Sequence, residues 1–239
     1  MTSRLLLLAL LPGILIIIFI IKKDKVEKEP PGLIIKLLIF GCLSCIPAIF
    51  LENFITPFGP GGQEGDVAYS LYTAFVVAAL CEELCKFALL KLGSWRNRNF
   101  NYRFDGIVYG TAVAIGFALL ENVLYVAQGG ISVAISRGLM AVPLHAFCGL
   151  FMGIFYGAAK KNSIMKERSK SAGNTFMALF VPFLIHGIYD FLAFMQTNGT
   201  MILLLVFVVV MYIIGIKYIN KFSREDWCAA FYQEKLSRY

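Results

Sequence analysis

The sequence has few charged residues and very few histidines for its length. Only 15% of its 239 residues are Asp, Glu, Lys or Arg and only two are histidine, whereas 59% are hydrophobic. An ordinary soluble domain has about 25% charged and about 45–50% apolar residues. The apolar residues also fall in separate runs of about 20, the length at which a helix crosses about 30 Å of hydrocarbon. The composition therefore excludes a soluble globular protein and predicts an integral membrane protein.

Long polar segments are also lacking, so the chain has no place for a soluble domain. We treat residues 1–239 as one integral membrane domain and predict an all-α, polytopic bundle of about seven transmembrane helices. The predicted spans are at about residues 5–21, 33–51, 69–92, 106–128, 137–159, 174–195 and 201–220. The motifs described below lie in a core of about residues 69–195, and about residues 221–239 form a C-terminal tail.

The N-terminal apolar run lacks a cleavage pattern of small residues, which predicts a retained anchor. Three connecting segments lack basic residues, and they alternate with "KKDKVEKEPPG", "GSWRNRNFNYRFD" and "KKNSIMKERSKSAG", which carry four, three and five. The positive-inside rule then places the N-terminus outside and the C-terminal tail in the cytoplasm. The net charge of +7 is thus a topology signal, and we expect no nucleic-acid partner. In the tail, Ser223 is placed to cap a short interfacial helix, although a frayed, solvated end fits equally well.

Ionisable residues are scarce inside the predicted helices. Away from the helix ends they are Lys36, Glu82, Glu83, Lys86, Glu121, His145, His186 and Asp190. An Asp, Lys or Arg at the centre of a membrane helix costs about 2.5–3.5 kcal/mol on insertion scales. Each of these residues therefore needs a partner or a function, and both histidines of the chain are among them.

Five of these groups are predicted to lie in one layer of the membrane. Counting about 1.5 Å per residue from the cytoplasmic end of each span places Glu82 at ~15 Å, His186 at ~18 Å, His145 at ~21 Å, Glu121 at ~22 Å and Asp190 at ~24 Å. The layer extends from the middle of the bilayer toward its outer half. Independent salt bridges would have no reason to share a depth, so we expect these side chains to converge in the interior of the bundle.

The marks of two common protease classes are absent: the chain has no Gly-x-Ser-x-Gly and no His-Glu-x-x-His motif. A buried glutamate beside histidines can instead take a proton from water, deliver hydroxide to a carbonyl and then protonate the leaving amine. The second histidine or Asn122 could stabilise the oxyanion. This chemistry is peptide hydrolysis that needs no cofactor. The same donor types could also bind zinc, with Glu82, Glu83, Glu121, His145, His186 and Asp190 as the candidate ligands.

Other interpretations of these residues are a structural ion pair, a transport pathway and a noncatalytic scaffold. Lys86 can neutralise one carboxylate of the Glu82 and Glu83 pair, which would leave the other unexplained, and His145 could be a core histidine bonded to a carbonyl. Buried Asp, Glu and His also mark transporters and proton relays. Against transport, the charges form a layer and not a ladder across the bilayer, and no internal repeat is evident. The complete set of proton-transfer groups argues against a scaffold.

Four motifs in order resemble the PrsW family of intramembrane proteases, within the wider glutamic group that includes the CAAX-processing enzymes. They are "EELCK" (Glu82, Glu83, Lys86), "FALLEN" (Phe117, Glu121, Asn122), the region of Arg137, Pro143 and His145, and "HGIYD" (His186, Asp190). "KDKVEKEP" and "FDGIVYG" also resemble family sequence. Glu121 stands where the CAAX-processing enzymes usually have histidine, which argues against a prenyl-protein substrate.

The resemblance implies a multi-pass enzyme of the bacterial cytoplasmic membrane that makes the first, extracytoplasmic cut in a single-pass anti-sigma factor. That cut would release an extracytoplasmic-function sigma factor under envelope or antimicrobial-peptide stress. The implied catalytic residues are Glu82, Glu83, Glu121, His145 and His186, with Lys86, Asp190 and Asn122 in support. Either Glu82 or Glu83 would be the base that activates water.

Overall fold

The computed structural model describes residues 2–226, and this part of the chain is all-helical, as predicted. Its helices are α1 (Ser3–Lys23), α2 (Pro31–Ile55), α3 (Val67–Leu71), α4 (Leu80–Ser94), α5 (Arg103–Leu139), α6 (Ala141–Ile164), α7 (Arg168–Phe194) and α8 (Asn198–Arg224). A 3-10 turn, Thr56–Phe58, follows α2. A π-helical segment, Tyr72–Ala79, joins α3 to α4, so that residues 67–94 form one continuous helix.

Several of these helices are long and apolar enough to cross a membrane. Within residues 2–226, five stretches meet that description: Ser3–Lys23, Pro31–Phe58, Arg103–Ile164, Arg168–Phe194 and Asn198–Arg224. The third of them contains the two consecutive helices α5 and α6. A multi-pass membrane architecture is therefore confirmed, whereas the count of seven spans and the orientation of the termini stay predictions.

The segment between the fourth and fifth predicted spans differs from the prediction of a loop over about residues 129–136. Helix α5 continues through it to Leu139 and changes direction at Gly130, which has a φ of 70°. Glycine adopts this left-handed conformation without the steric cost that a Cβ imposes, so the chain turns there and resumes its helix. Beyond the turn, Ala134 joins Val126 and Ala9 of α1 in a small apolar cluster.

The prediction that Ser223 caps a separate helix is wrong. Ser223 lies in the last turn of α8, and its hydroxyl donates to the carbonyl oxygen of Lys23 at 2.5 Å. The Lys23 ammonium donates to the Asn220 side chain at 2.6 Å. These contacts join the end of α8 to the end of α1. The aromatic residues of the predicted interfacial helix, from Trp227 onward, lie outside the described residues.

Helix α5 occupies the centre of the bundle, and residues 104–118 are buried without interruption. Glycines allow its neighbours to approach closely: a Cβ on Gly153 of α6 would lie 2.3 Å from the Gly106 carbonyl oxygen. A Cβ on Gly110 would lie 2.5 Å from the carbonyl oxygen of Gly149. Small residues at such crossings let helix backbones pack directly in a membrane. Through this contact, α5 and α6 bring Glu121 and His145 side by side.

We expect Gly116→Ala to destabilise the bundle. The added Cβ would lie 2.0 Å from the Leu38 carbonyl oxygen of α2, and a backbone atom cannot move aside by a rotamer change. Overpacking of this kind costs about 1–3 kcal/mol, so the unfolding midpoint should fall by about 2–10 °C. Thermal unfolding of the detergent-solubilised protein measures this midpoint. Gly173→Ala in α7 is the control because nothing lies within 4 Å of its Cβ position; equal midpoints for both variants would contradict the close α2–α5 contact.

Candidate active site

The charged motif of α4 forms a compact, buried ion cluster. The Lys86 ammonium donates to Glu82 Oε2 at 2.9 Å and to Glu83 Oε1 at 2.8 Å, contacts that the i,i+4 and i,i+3 spacings allow. It also lies 4.0 Å from the centre of the Phe117 ring. Lys86 and Glu83 are completely buried. One ammonium therefore hydrogen-bonds to both carboxylates, although its single positive charge offsets only one of their two negative charges.

Local helix geometry places this motif against α7. In the π-helical segment before α4, the Leu80 amide donates to the Phe75 carbonyl, five residues back. Such segments shift the face that the following residues present, and they are frequent at functional sites. Gly187 of α7 receives the Phe75 ring, since a Cβ there would lie 2.3 Å from it. This close approach of α7 to the segment before α4 places the neighbouring His186 beside Glu83.

His145 of α6 connects the Lys86 ammonium to a carboxylate of α5. Its Nδ1 lies 3.0 Å from Lys86 Nζ, and its Nε2 lies 2.8 Å from Glu121 Oε2. An ammonium group has only donors, so Nδ1 accepts and the imidazole proton lies on Nε2. His145 is thus held as the tautomer that donates to Glu121.

His186 of α7 has a carboxylate at each ring nitrogen. Its Nδ1 lies 2.9 Å from Glu83 Oε1, and its Nε2 lies 3.2 Å from Asp190 Oδ2, one turn along the same helix. The Nε2 atom is also 3.9 Å from Glu82 Oε2. Acceptors on both sides allow both nitrogens to carry a proton and to donate. This imidazole can therefore present an N–H to a group bound beside Glu82.

The residues of the predicted layer form one connected cluster contributed by α4, α5, α6 and α7. The structure brings together all the predicted site residues except Asn122: Glu82, Glu83, Lys86, Glu121, His145, His186 and Asp190. The exposed fraction of the side chain rises from 0% at Glu83 to 10% at Glu82, 15% at Asp190 and 19% at Glu121. The cluster is therefore open on the side of Asp190 and Glu121, near the end of α7 that is remote from the basic Arg168 end.

Asn122 is not available as an oxyanion donor in this arrangement. Its side-chain amide donates to the Ala9 carbonyl oxygen of α1 at 2.7 Å, and its Oδ1 accepts from Arg137 Nε at 3.1 Å. Arg137 in turn lies 2.8 Å from Glu121 Oε2 and 4.0 Å from the Tyr125 ring. No role for Arg137 follows from the sequence, since its position beside Glu121 depends on the turn at Gly130.

The two further family-like segments meet elsewhere, at the basic end of the bundle. Glu29 of "KDKVEKEP" accepts a hydrogen bond from the Tyr109 hydroxyl of "FDGIVYG" at 2.7 Å. Glu29 lies in the loop between α1 and α2, and burial raises its pKa to about 7. The pair anchors this loop to α5 and is separate from the ion cluster.

The cluster has the ligand types of a zinc site but not the space for an ion. Glu82, Glu83, His145 and His186 each offer a ligand atom, all within 4.8 Å of one another, and Zn²⁺ accepts both nitrogen and oxygen ligands. Lys86 Nζ lies at 2.9, 2.8 and 3.0 Å from atoms of three of these residues. The donors therefore already surround a cation of the protein, and in this arrangement they do not fit a metal ion. Glu121 and Asp190, the other candidate ligands, contact the far nitrogens of the histidines.

Comparisons with known proteins give a consistent result. A family model described as "PrsW family intramembrane metalloprotease" matches residues 29–216. A protein named Protease PrsW from Geobacillus kaustophilus (strain HTA426) is 34% identical over 181 residues, which is 76% of this chain and 76% of that protein. Proteins of the same name from Clostridioides difficile (strain 630) and Bacillus subtilis (strain 168) are 29% and 30% identical, over 95% and 78% of this chain and 94% and 81% of their own lengths. No solved structure matches significantly.

Proposed function

Because the chain belongs to the PrsW family of intramembrane proteases, we propose that it hydrolyses a peptide bond of a membrane-anchored protein by means of a water molecule activated by Glu82. The observation that carries this proposal is a buried cluster in which, of the two adjacent glutamates on α4, only Glu82 has an exposed part of its side chain. Glu82 is partly exposed, whereas Glu83 is sealed between Lys86 and His186. We assign Glu82 as the general base and Glu83 as a positioning residue.

The reaction needs two proton transfers, and Glu82 can perform both. Its carboxylate takes a proton from water while the water oxygen forms a bond to the scissile carbonyl carbon. The carbonyl oxygen becomes an oxyanion, and we assign His186 Nε2–H as the donor that stabilises it; this nitrogen also contacts Asp190 Oδ2 at 3.2 Å and lies 3.9 Å from Glu82 Oε2. The Glu82 carboxyl then gives its proton to the leaving nitrogen as the C–N bond breaks. The products are a carboxylic acid and an amine, and Glu82 is again a carboxylate.

The remaining residues of the cluster orient these groups. Asp190 and Glu83 hold the His186 ring from both sides, and Glu121 holds His145. A carboxylate behind an imidazole sets its tautomer and its direction. Lys86 places a positive charge 2.9 Å from the Glu82 carboxylate and donates a hydrogen bond to it. Arrangements of this kind keep the reacting groups in place before the substrate binds.

Lys86 also supports a glutamic mechanism over a metal-dependent one. A metal ion would have to displace an ammonium group that is completely buried and hydrogen-bonded to Glu82 and Glu83. Like charges at such short distance repel strongly in a medium of low dielectric. The alternative is a zinc-dependent mechanism, and the two mechanisms predict different effects of a zinc chelator on the cleavage rate.

The proposed substrate is a single-pass anti-sigma factor in the bacterial cytoplasmic membrane. We place the N-terminus outside and the C-terminus in the cytoplasm, with seven spans and all basic loops inside. The open side of the cluster, at Asp190 and Glu121, then faces the outer half of the bilayer. This orientation supports a first, extracytoplasmic cut, which would release an extracytoplasmic-function sigma factor under envelope or antimicrobial-peptide stress.

We expect the protein, reconstituted in liposomes, to cleave such a substrate on the side opposite its basic loops. A substrate with different labels at its two ends reports the position of the cut, because the labelled fragments differ in length. Pre-treatment with a strong zinc chelator should leave the rate unchanged, and metal analysis of the purified protein should find no stoichiometric zinc. A cut on the side of the basic loops would contradict the orientation. Loss of cleavage after chelation, restored by added zinc, would contradict the glutamic mechanism.

A further inference from the structure

A cavity lies at the basic end of the bundle, away from the ion cluster. Its volume is about 790 Å³, and it is bounded by the last turns of α4, by the turn from α6 to α7, and by the first half of α7. A cavity of this size falls within the range of known small-molecule sites. Nothing in the proposed proteolytic reaction uses it.

Three cationic side chains line this cavity: Lys91, Lys166 and Arg168. All three are exposed, and none of them takes part in an ion pair within residues 2–226. The neighbouring carboxylate, Glu167, pairs with Lys170 at 3.1 Å. Three uncompensated positive charges around one opening attract an anion.

The other end of the cavity is apolar and lies deeper in the bundle. Along α7, Arg168 is the first residue, and Leu179 follows it by eleven residues, or ~16 Å. Along α4, Phe87 precedes Lys91 by one turn and is therefore ~6 Å farther from the basic end. Phe176 also lines the apolar part. The lining of the cavity thus changes from cationic to apolar along the helix axes. A small soluble anion would contact only the cationic part.

We propose that this cavity binds an anionic phospholipid from the leaflet at the basic end of the bundle. Lys91, Lys166 and Arg168 contact the phosphate, and an acyl chain lies against Phe87 and Leu179. Basic pockets between membrane helices are the usual sites for anionic headgroups. The order of charged and apolar walls matches the order of headgroup and acyl chain in a bilayer. Phe87 directly follows Lys86, so the bound lipid packs on the helix that carries the ion cluster.

Lipid binding by the purified, full-length protein in a neutral detergent tests this proposal. Native mass spectrometry or thermal-shift titration compares phosphatidylglycerol, phosphatidylcholine and inorganic phosphate. We expect a preference of about tenfold or more for phosphatidylglycerol over phosphatidylcholine, and no stabilisation by inorganic phosphate alone. The combined variant Lys91→Gln, Lys166→Gln and Arg168→Gln should reduce that preference to within about twofold.

Two further variants separate a defined pocket from general surface charge. Lys25→Gln, Arg96→Gln and Arg98→Gln remove the same charge from exposed positions at the same end and should retain the preference. Ala172→Trp fills the cavity without changing charge and should weaken phosphatidylglycerol binding by about tenfold. A preference that survives the cavity variants, or that the control variant loses equally, would overturn the proposal. Equal stabilisation by inorganic phosphate would also overturn it, since the cavity would then bind the anion alone.

Discussion

Glu82→Gln should slow peptide cleavage by about 10²–10⁴-fold while leaving the protein folded. The amide has the size of the carboxylate and can still accept the hydrogen bond from Lys86, which lies 2.9 Å from Glu82 Oε2. It cannot accept a proton from water, so the attacking hydroxide would not form. The measurement is the initial rate of cleavage of a single-pass substrate in liposomes. Glu27→Gln, at an exposed position of the loop between α1 and α2 at the basic end of the bundle, is the matched control and should cleave normally.

Glu83→Gln distinguishes the base from its neighbour. Glu83 is completely buried and contacts His186 Nδ1 at 2.9 Å, so its loss should act through the histidine. We expect this variant to keep some activity and to shift the pH dependence of the rate, because His186 loses a charged partner. Glu82→Gln should instead cleave about 10²–10⁴-fold more slowly than the wild type across the pH range. Full activity of Glu82→Gln together with an inactive Glu83→Gln would assign the base to Glu83.

Lys86→Met is expected to cause the largest loss of stability, about 3–5 kcal/mol. The substitution keeps most of the volume but leaves Glu82 and Glu83 close together in the protein interior without their common cation. An uncompensated charge in a buried site is strongly destabilising, whereas removal of both partners is tolerated better. Chemical unfolding in mixed detergent micelles gives the free energy of unfolding for each variant.

The double variant Lys86→Met with Glu83→Gln tests that explanation. It removes one of the two unpaired charges and should be more stable than Lys86→Met alone, which a double-mutant cycle quantifies. Lys36→Met is the control, because the Lys36 ammonium donates only to the Gly93 carbonyl oxygen at 3.2 Å in the hydrogen bonds of residues 2–226. Its loss should be smaller, about 1–2 kcal/mol. A double variant no more stable than Lys86→Met would show that repulsion between the carboxylates is not the cause.

Much of the site could be predicted from the chain because depth in a membrane helix depends on local properties. The apolar runs locate each helix, and the rise per residue then gives the depth of Glu82, His145 and His186. The i,i+4 spacing likewise anticipates the contact of Lys86 with Glu82, and that of Asp190 with His186, because residues on one face of a helix are neighbours. These conclusions need no knowledge of the partner helices.

The helix ends were harder to predict. Residues 129–136 have the composition of a short connection, yet the helix resumes beyond Gly130 because a single left-handed residue redirects the chain. Ser223 has the properties of a cap, but the α1–α8 contact keeps it inside α8, where it donates to Lys23. At Ser223, therefore, a contact distant in sequence outweighs the local preference.

The contacts between helices could not be predicted, since they depend on how each helix is rotated and how closely it packs. The π-helical segment Tyr72–Ala79 turns the motif of α4, and Gly187 lets α7 come near enough for His186 to reach Glu83. Depth alone could not show that Lys86 hydrogen-bonds to both glutamates, or that the Asn122 amide points to α1. The residue types and their spacing along each helix follow from local sequence. Their pairing follows from packing, because a hydrogen bond requires an orientation and a distance that only the assembled bundle provides.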